Sequence, residues 1–382
     1  MHQNIVGFIR DLYKESNAVI PLHRPHFIGN EKEYLSECID STFVSSVGAF
    51  VDQFEKDICS YTGSTYAVSI VNGTCALQLA LRLAGVEENS LVITQSLTFI
   101  ATSNAIKHAG AHPVFLDISP HTLGLSAESL KNFIHDETEI SSAGKRVYKK
   151  TGQVIAACLP MHTFGHPVEL KLITEICREN NLVLIEDAAE SIGSTYEGKH
   201  TGTFGEMGVI SFNGNKTITC GGGGVILTNN KEIHDLGKHL STQAKVDHPW
   251  EFKHDAIGHN YRMPNVNAAL GCAQLESLDI LLASKRKIAN AYKEFFSDTI
   301  VEFIQEADDS RANYWLNTIL MKNEKDKNEF LEYSNGKGVM TRPAWQLIHE
   351  FPFYSHAIIG SLDNAKEIAN RLVCLPSSPI ID

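Results

Sequence analysis

An α/β fold, with a largely parallel sheet covered on both faces and a smaller α/β unit closing over it, is predicted by three observations. Short apolar runs recur between Tyr66 and Thr228, most of them followed by a polar or helical segment. Runs of that length separated by helices are how strands buried on both faces read in a sequence. Beyond about Asn230 the texture shifts to long helices and then alternates again towards the C-terminus. Finally, 382 residues are too many for one small core and suit two domains of unequal size, divided here as 1–250 and 251–382, with an N-terminal helical segment assigned to the first.

The elements follow in order. His2 to Tyr13 carries apolar residues at helical spacing and lacks a basic-then-apolar leader pattern. The Pro-rich stretch Pro21–Pro25 reads as extended, and helices are expected around Glu31–Ser41 and Val51–Tyr61. Tyr66–Val71 is a predicted strand and Thr74–Ala84 a predicted helix. Further strands are expected at Leu91–Thr94, Pro113–Leu116, Val154–Leu159, Val183–Ile185, Gly208–Phe212 and Val225–Thr228. Long helices at Asn265–Asp279 and Asp279–Ser297 precede a strand at Tyr314–Lys322, a helix starting near Asn323, and Val339–Pro343.

Composition narrows the function classes. The chain is 43% hydrophobic and 20% charged, as folded proteins are, and its net charge of −12 argues against non-specific nucleic-acid binding. Eight scattered cysteines without a C-x-x-C pair point to free thiols. No apolar run approaches membrane-spanning length, so a cytoplasmic location is expected, with no membrane or nucleic-acid partner.

Four segments carry candidate chemistry. Between the strands ending at Phe212 and starting at Val225 lie one lysine, Lys216, and four glycines, Gly221–Gly224. An amine that serves as a nucleophile needs a rigid, partly desolvated mounting of this kind. A surface lysine in a β-turn is the competing reading. The glycines are expected to form a turn needing positive φ. Asp187 stands just past the apolar run Leu182–Ile185, at the carboxyl edge where ligands of open α/β sheets sit. A buried carboxylate there needs a cationic partner, such as a protonated ring nitrogen or an arginine, unless it merely caps the next helix. Asn72-Gly-Thr-Cys, at a strand-to-helix junction, offers backbone N–H groups to an anion, or is an ordinary N-cap turn. Phe99, in Thr98-Phe-Ile-Ala-Thr, suits stacking on a planar ligand or plain core packing.

The motif His162-Thr-Phe-Gly-His166 lacks the helix that metal ligation at i, i+4 requires, so no metal is expected. Taken together, an amine, a strand-end carboxylate, a phosphate-sized helix terminus, a stacking ring and the Ser211 hydroxyl match a planar phosphorylated aldehyde with a ring nitrogen. Pyridoxal 5′-phosphate is such a molecule.

At these residues the chain resembles the DegT/DnrJ/EryC1/StrS family of PLP-dependent sugar aminotransferases. The likeness runs from about Pro21 to the C-terminus through Asn72-Gly-Thr-Cys-Ala-Leu, Thr98-Phe-Ile-Ala-Thr, Glu186-Asp-Ala-Ala-Glu-Ser, Ser211-Phe-Asn-Gly-Asn-Lys and Gly258-His-Asn-Tyr-Arg-Met. The resemblance implies the type I, aspartate aminotransferase-like fold. It makes Lys216 the Schiff-base lysine and proton shuttle, with pyridoxamine phosphate as the intermediate form. Asp187 would pair with the pyridine nitrogen, and Phe99 and Ala189 would sandwich the ring. Gly73, Thr74 and Ser211 would take the phosphate, joined by Asn260 from the second subunit of a homodimer. Asn213, in the lysine motif, joins the cofactor-binding set, and His162 is similar to the family's cleft histidine. Glu190 stands where the family often has Gln or His against the cofactor's 3-hydroxyl. The lysine itself separates aminotransferases from the dehydratase branch, which has histidine there.

Phe43-Val-Ser-Ser-Val-Gly-Ala-Phe-Val-Asp-Gln-Phe-Glu, the lysine motif and Gly338-Val-Met-Thr-Arg-Pro-Ala-Trp are similar to the LegC subgroup. That similarity implies amino transfer from L-glutamate to C4 of a nucleotide-linked 4-keto-6-deoxy-N-acetylhexosamine, UDP-linked or GDP-linked, towards legionaminic acid or related sugars. The rivals are a perosamine-synthase-like or TDP-sugar C3/C4 aminotransferase and, from another class, a non-catalytic PLP-binding regulator.

Overall fold

The computed structural model describes residues 1–381. Strands β1 (Tyr66–Ile70), β2 (Leu91–Gln95), β3 (His112–Leu116), β4 (Ile155–Cys158), β5 (Val183–Asp187), β6 (Met207–Ser211) and β7 (Gly224–Thr228) build the main sheet. A second sheet uses β8 (Glu302–Phe303), β9 (Asn317–Leu320), β10 (Arg342–Pro343) and β12 (Leu372–Leu375), while β11 (Ile358–Ile359) returns to the first. The eight-stranded order is β1-β7-β6-β5-β4-β2-β3-β11, and β7 is antiparallel to both its neighbours while the other pairings are parallel.

Alternate residues of each strand go to opposite faces, as pleating requires. Val68, Ile70, Val92, Ile185, Val209 and Ile226 pack beneath the helices Gly73–Leu83, Ile100–His108 and Lys231–Ser241. Ala67, Ile210, Val225 and Leu227 meet the helices Ala49–Thr62 and Asn265–Glu276 on the other face, and Leu91, Ile93, Val114 and Leu184 meet Ala127–Glu137 and Leu170–Glu179 there. The expected two-faced, mostly parallel sheet is therefore present.

The second sheet buries one face against the helices His2–Leu12, Leu278–Phe296 and Glu324–Gly336. Its other face, with Leu316, Leu320, Leu372 and Cys374, packs on Leu97, Ile118 and Phe164 of the first unit. The first helix thus lies on the second sheet, through Ile5, Val6 and Ile9, although it precedes the main sheet in sequence. The strand expected from Tyr314 begins only at Asn317, because Tyr314 takes a left-handed backbone (φ 49°) and the Trp315 amide is held by Asn313 Oδ1 at 2.7 Å. No single helix among the described residues is long and apolar enough to cross a membrane.

Candidate active site

The carboxyl ends of β5 and β6 and the start of the helix Gly73–Leu83 converge on one cavity of about 300 Å³. Asp187 closes β5, and its neighbour in register on β6 is Val209, so Ser211 lies two residues further along the same edge. Lys216 sits in the connection from β6 to β7. That connection is pinned by the bonds Phe212 N–H to Gly223 O, Cys220 N–H to Phe212 O and Lys216 N–H to Asn213 O. The lysine is a buried amine on rigid backbone, not a surface residue of a turn.

Gly73, Thr74, Phe99, Asp187, Ala189, Glu190, Ser211, Asn213 and Lys216 all line this cavity. Two of the sequence candidates do not. His162 is fully buried beneath it, its Nε2 3.1 Å from Glu186 Oε2 and its Nδ1 accepting from the Val168 amide. Glu186 also accepts from the Gly202, Phe204 and Gly205 amides, so the pair braces the chain behind β5. The expectation of a cleft histidine is corrected accordingly: Met161, next to it, lines the cavity instead. Asn260 is exposed, with Oδ1 accepting from Arg262 at 3.3 Å, and lies outside its own chain's cavity.

The four glycines also differ from expectation. Only Gly221 has positive φ (76°), while Gly223 and Gly224 serve close packing. A Cβ on Gly224 would meet the Asn72 carbonyl carbon at 2.7 Å and the Gly73 nitrogen at 2.8 Å. The glycine therefore lets β7 press directly on the turn that opens the helix Gly73–Leu83. Asn72 caps that helix by accepting from Cys75 N–H at 2.8 Å. The amides of Gly73 and Thr74, its first two, lie beyond the reach of intrahelical acceptors and border the cavity.

Gly73 itself sits against Ser211: a Cβ would come within 2.9 Å of Ser211 Cβ and 3.0 Å of its Oγ. Glycine amide, threonine and serine hydroxyl thus form a cradle that an anion fits and a side chain would fill. Gly73→Ala is expected to displace Ser211 and weaken retention of pyridoxal phosphate roughly tenfold or more, the worth of one hydrogen bond to a charged group. Equilibrium dialysis measures this, and unchanged retention in a folded variant would remove the cradle from the account.

Asp187 is wholly enclosed. Thr102 Oγ1 donates to its Oδ2 at 2.7 Å and the Ala189 amide to its Oδ1 at 3.1 Å. Burial raises its pKa above the ordinary aspartate value, against the pull of those donors and of the Lys216 charge. The site therefore holds a carboxylate that gains from a further cation. A protonated ring nitrogen supplies one, and the aromatic rim of Phe99 and Trp345, 6.0 Å apart between ring centroids, suits a flat ligand.

Glu190 Oε1 lies 3.0 Å from Lys216 Nζ, and its Oε2 accepts from the Phe164 amide at 2.9 Å. Burial pushes the carboxyl up to about 7, with the Lys216 charge and hydrogen bond opposing. An acid raised in the folded state stabilises it below the unfolded value and loses that contribution as pH rises through the folded one. Wild type should therefore lose thermal stability relative to Glu190→Gln between about pH 4.5 and pH 7, by on the order of 3 kcal/mol at most. Parallel melting curves against pH test the slope; curves that stay a constant distance apart would refute it.

Residues distant in sequence complete the site. Trp315 lies under Lys216, its ring centroid 4.1 Å from Nζ, and its Nε1 donates to the Asn215 carbonyl at 2.7 Å. Asn313 donates from Nδ2 to the Glu190 and Ile192 carbonyls, both at 2.9 Å, and so joins the segment before β9 to the loop after β5. Trp345 follows β10. Composition around Trp315 offered no sign of this; Trp345 was signalled only by the motif Gly338–Trp345.

A lysine amine in the β6–β7 connection and a buried carboxylate at the end of β5, beside an anion cradle, define a site for amine chemistry on a planar phosphorylated ligand. The chain belongs to the DegT/DnrJ/EryC1/StrS aminotransferase family, whose model matches residues 26–382. It is 38% identical to GDP-perosamine synthase of Escherichia coli O157:H7 over 365 residues, covering 94% of this chain and 93% of that one. It is also 34% identical to GDP-perosamine synthase of Vibrio cholerae, covering 94% of each. The fold matches the crystal structure of an aminotransferase, TlmJ, from Streptoalloteichus hindustanus, with a TM-score of 0.84 at 27% identity and 94% coverage of each chain. The chain is thus an aminotransferase with the fold of the PLP-dependent enzymes of that family.

Proposed function

We propose that this aminotransferase uses pyridoxal 5′-phosphate to pass an amino group from L-glutamate to C4 of a nucleotide-linked 4-keto-6-deoxy sugar. The observation that carries the reading is the placement of Lys216 and Asp187 at one cavity with the Gly73–Thr74–Ser211 cradle. When bound, the cofactor supplies an electron sink for the charge left when the donor's Cα loses its proton. The chain's own residues do the rest. Gly73, Thr74 and Ser211 would hold the phosphate, Asp187 would keep the ring nitrogen protonated, and Phe99 and Ala189 would flank the ring. Lys216 Nζ, on the cavity wall, would take up the proton that the donor's Cα releases. Glu190, within hydrogen-bond reach of that amine, receives and releases charge as the amine changes state.

Two acceptors follow from two observations. The segments Phe43–Glu55 and Gly338–Trp345 favour a UDP-linked N-acetylated 4-keto sugar, towards legionaminic acid or a related glycan unit. The relatives named GDP-perosamine synthase favour a GDP-linked one. Assaying UDP-, GDP- and TDP-linked 4-keto sugars side by side with L-glutamate separates them; no transfer to any of the three would sink the proposal. A glutamate titration followed by absorbance tests the amino-donor half alone.

A homodimer in the cytoplasm belongs to the same proposal. Trp250, Phe252 and Ile257, each about four-fifths exposed, precede Asn260 in the chain and suit burial against a second copy. Asn260 is proposed to complete the phosphate cradle of that second copy. The division near residue 250 is also proposed, except that the first helix, assigned by sequence to the first unit, packs on the second sheet.

A further inference from the structure

On the far side of Trp315 and Trp345 lies a second cavity, of about 460 Å³, sharing these two rings and Asn215 with the first. His23, from the extended N-terminal stretch, lines it. Both His23 ring nitrogens are shut off from solvent and, among the described residues, no side chain pairs with either, the Asn215 backbone being the one polar group beside the ring. Buried polar groups in folded proteins are nearly always paired, so an unpaired imidazole on a cavity wall marks a place where a ligand atom belongs.

The charges around the ring say which kind of ligand. Lys285 is fully buried and donates to the Trp315 carbonyl at 3.1 Å and the Ser377 carbonyl at 2.7 Å, both neutral acceptors. Burial pulls its ammonium group down to about 7. Lys216 lies across the Trp315 ring, and Arg342 contributes to the lining, with Nη1 held by Asn335 and the Thr341 carbonyl. Among the described residues, no aspartate or glutamate lines this cavity, in a chain of net charge −12. Burial, then Lys285, His26 and Lys216, push the His23 imidazole well below its ordinary pKa, with the Asn215 backbone opposing. An arriving negative group would stabilise the charged forms of both His23 and Lys285.

We propose that the second cavity is an anion subsite in which His23 binds an anionic oxygen group of a substrate: the distal carboxylate of the amino donor or a phosphate of the sugar nucleotide. The assignment rests on the proposed amino transfer for its choice of substrates. It does not rest on that reading for the anion itself.

Calorimetric binding to the purified protein tests the subsite independently of turnover, with 2-oxoglutarate against pyruvate in one arm and UDP and GDP in the other. His23→Ala is expected to weaken one arm roughly tenfold or more, the worth of a hydrogen bond to a charged group. His23→Gln, which keeps an N–H donor, should restore part of the loss. Weakened 2-oxoglutarate binding with pyruvate unchanged identifies the carboxylate; weakened UDP or GDP binding identifies the phosphate. A folded His23→Ala variant that binds all four like wild type overturns the proposal, as does a wild type that binds none. Failure of amino transfer in the sugar assays would instead remove the functional reading while leaving these binding results to stand.

Discussion

Lys216→Ala is expected to abolish amino transfer, by at least about 10⁴-fold, the upper range for one positioned acid–base group. The variant should still bind pyridoxamine phosphate. The reasoning is geometric. Nζ is the one amine on the cavity wall among the described residues, 3.0 Å from Glu190 and 4.1 Å from the Trp315 ring centroid. No other lining group offers both a nucleophile and a proton carrier at that position. The phosphate cradle and Asp187 are separate residues, so removing the lysine leaves them in place and binding should survive. Turnover and cofactor binding measured on one preparation distinguish the roles. Activity near wild type would eliminate Lys216 as the reacting amine.

Asp187→Asn is expected to lower kcat/KM by roughly 10²–10³-fold, the scale seen when one preorganised electrostatic partner is removed. The same change should leave the cofactor-free protein as stable as wild type or more so. Burial raises the carboxyl's pKa, which means the folded apo-protein carries a charge in an unfavourable place. Asparagine fits the existing donors: Oδ1 accepts from the Ala189 amide, while Nδ2 gives to Thr102 Oγ1, which turns its own proton to Thr98 Oγ1 at 2.8 Å. Loss of function with gained stability is a signature that a purely structural carboxylate would not produce. Retained activity, or a fall in melting temperature matching the activity loss, would refute the role assigned to Asp187.

Much of this was legible in the chain because the chemistry sits where strands end. Asp187 follows an apolar run by one residue, and Gly73 and Thr74 open a helix directly after another, so hydrophobic pattern alone placed them at one edge. Lys216 was legible as a lone amine between two strands. What pattern could not give was the far wall. Trp315 reaches Lys216 from 99 positions along the chain, and nothing local distinguishes it from a core tryptophan. His162, which only the family resemblance points to, shows the converse: its backbone amide donates to the Asp187 carbonyl, but its ring turns back to Glu186. The glycines were read through φ, the property visible in sequence, whereas Gly224 answers to contact with Asn72, which only the sheet order brings about.

The Asn313 side chain bears on how substrates enter and leave. It joins the segment leading into the second sheet to the carbonyls of Glu190 and Ile192, while Gly165 packs so closely on its Oδ1 that a Cβ there would collide. Swinging the two units apart would strand these buried groups at a cost of about 1–3 kcal/mol for each one left unpaired. Traffic through this site is therefore suited to an open mouth rather than a hinge. Release of the aminated sugar would then depend on the ligand's own diffusion past the rim near Phe99, with little reorganisation of the protein.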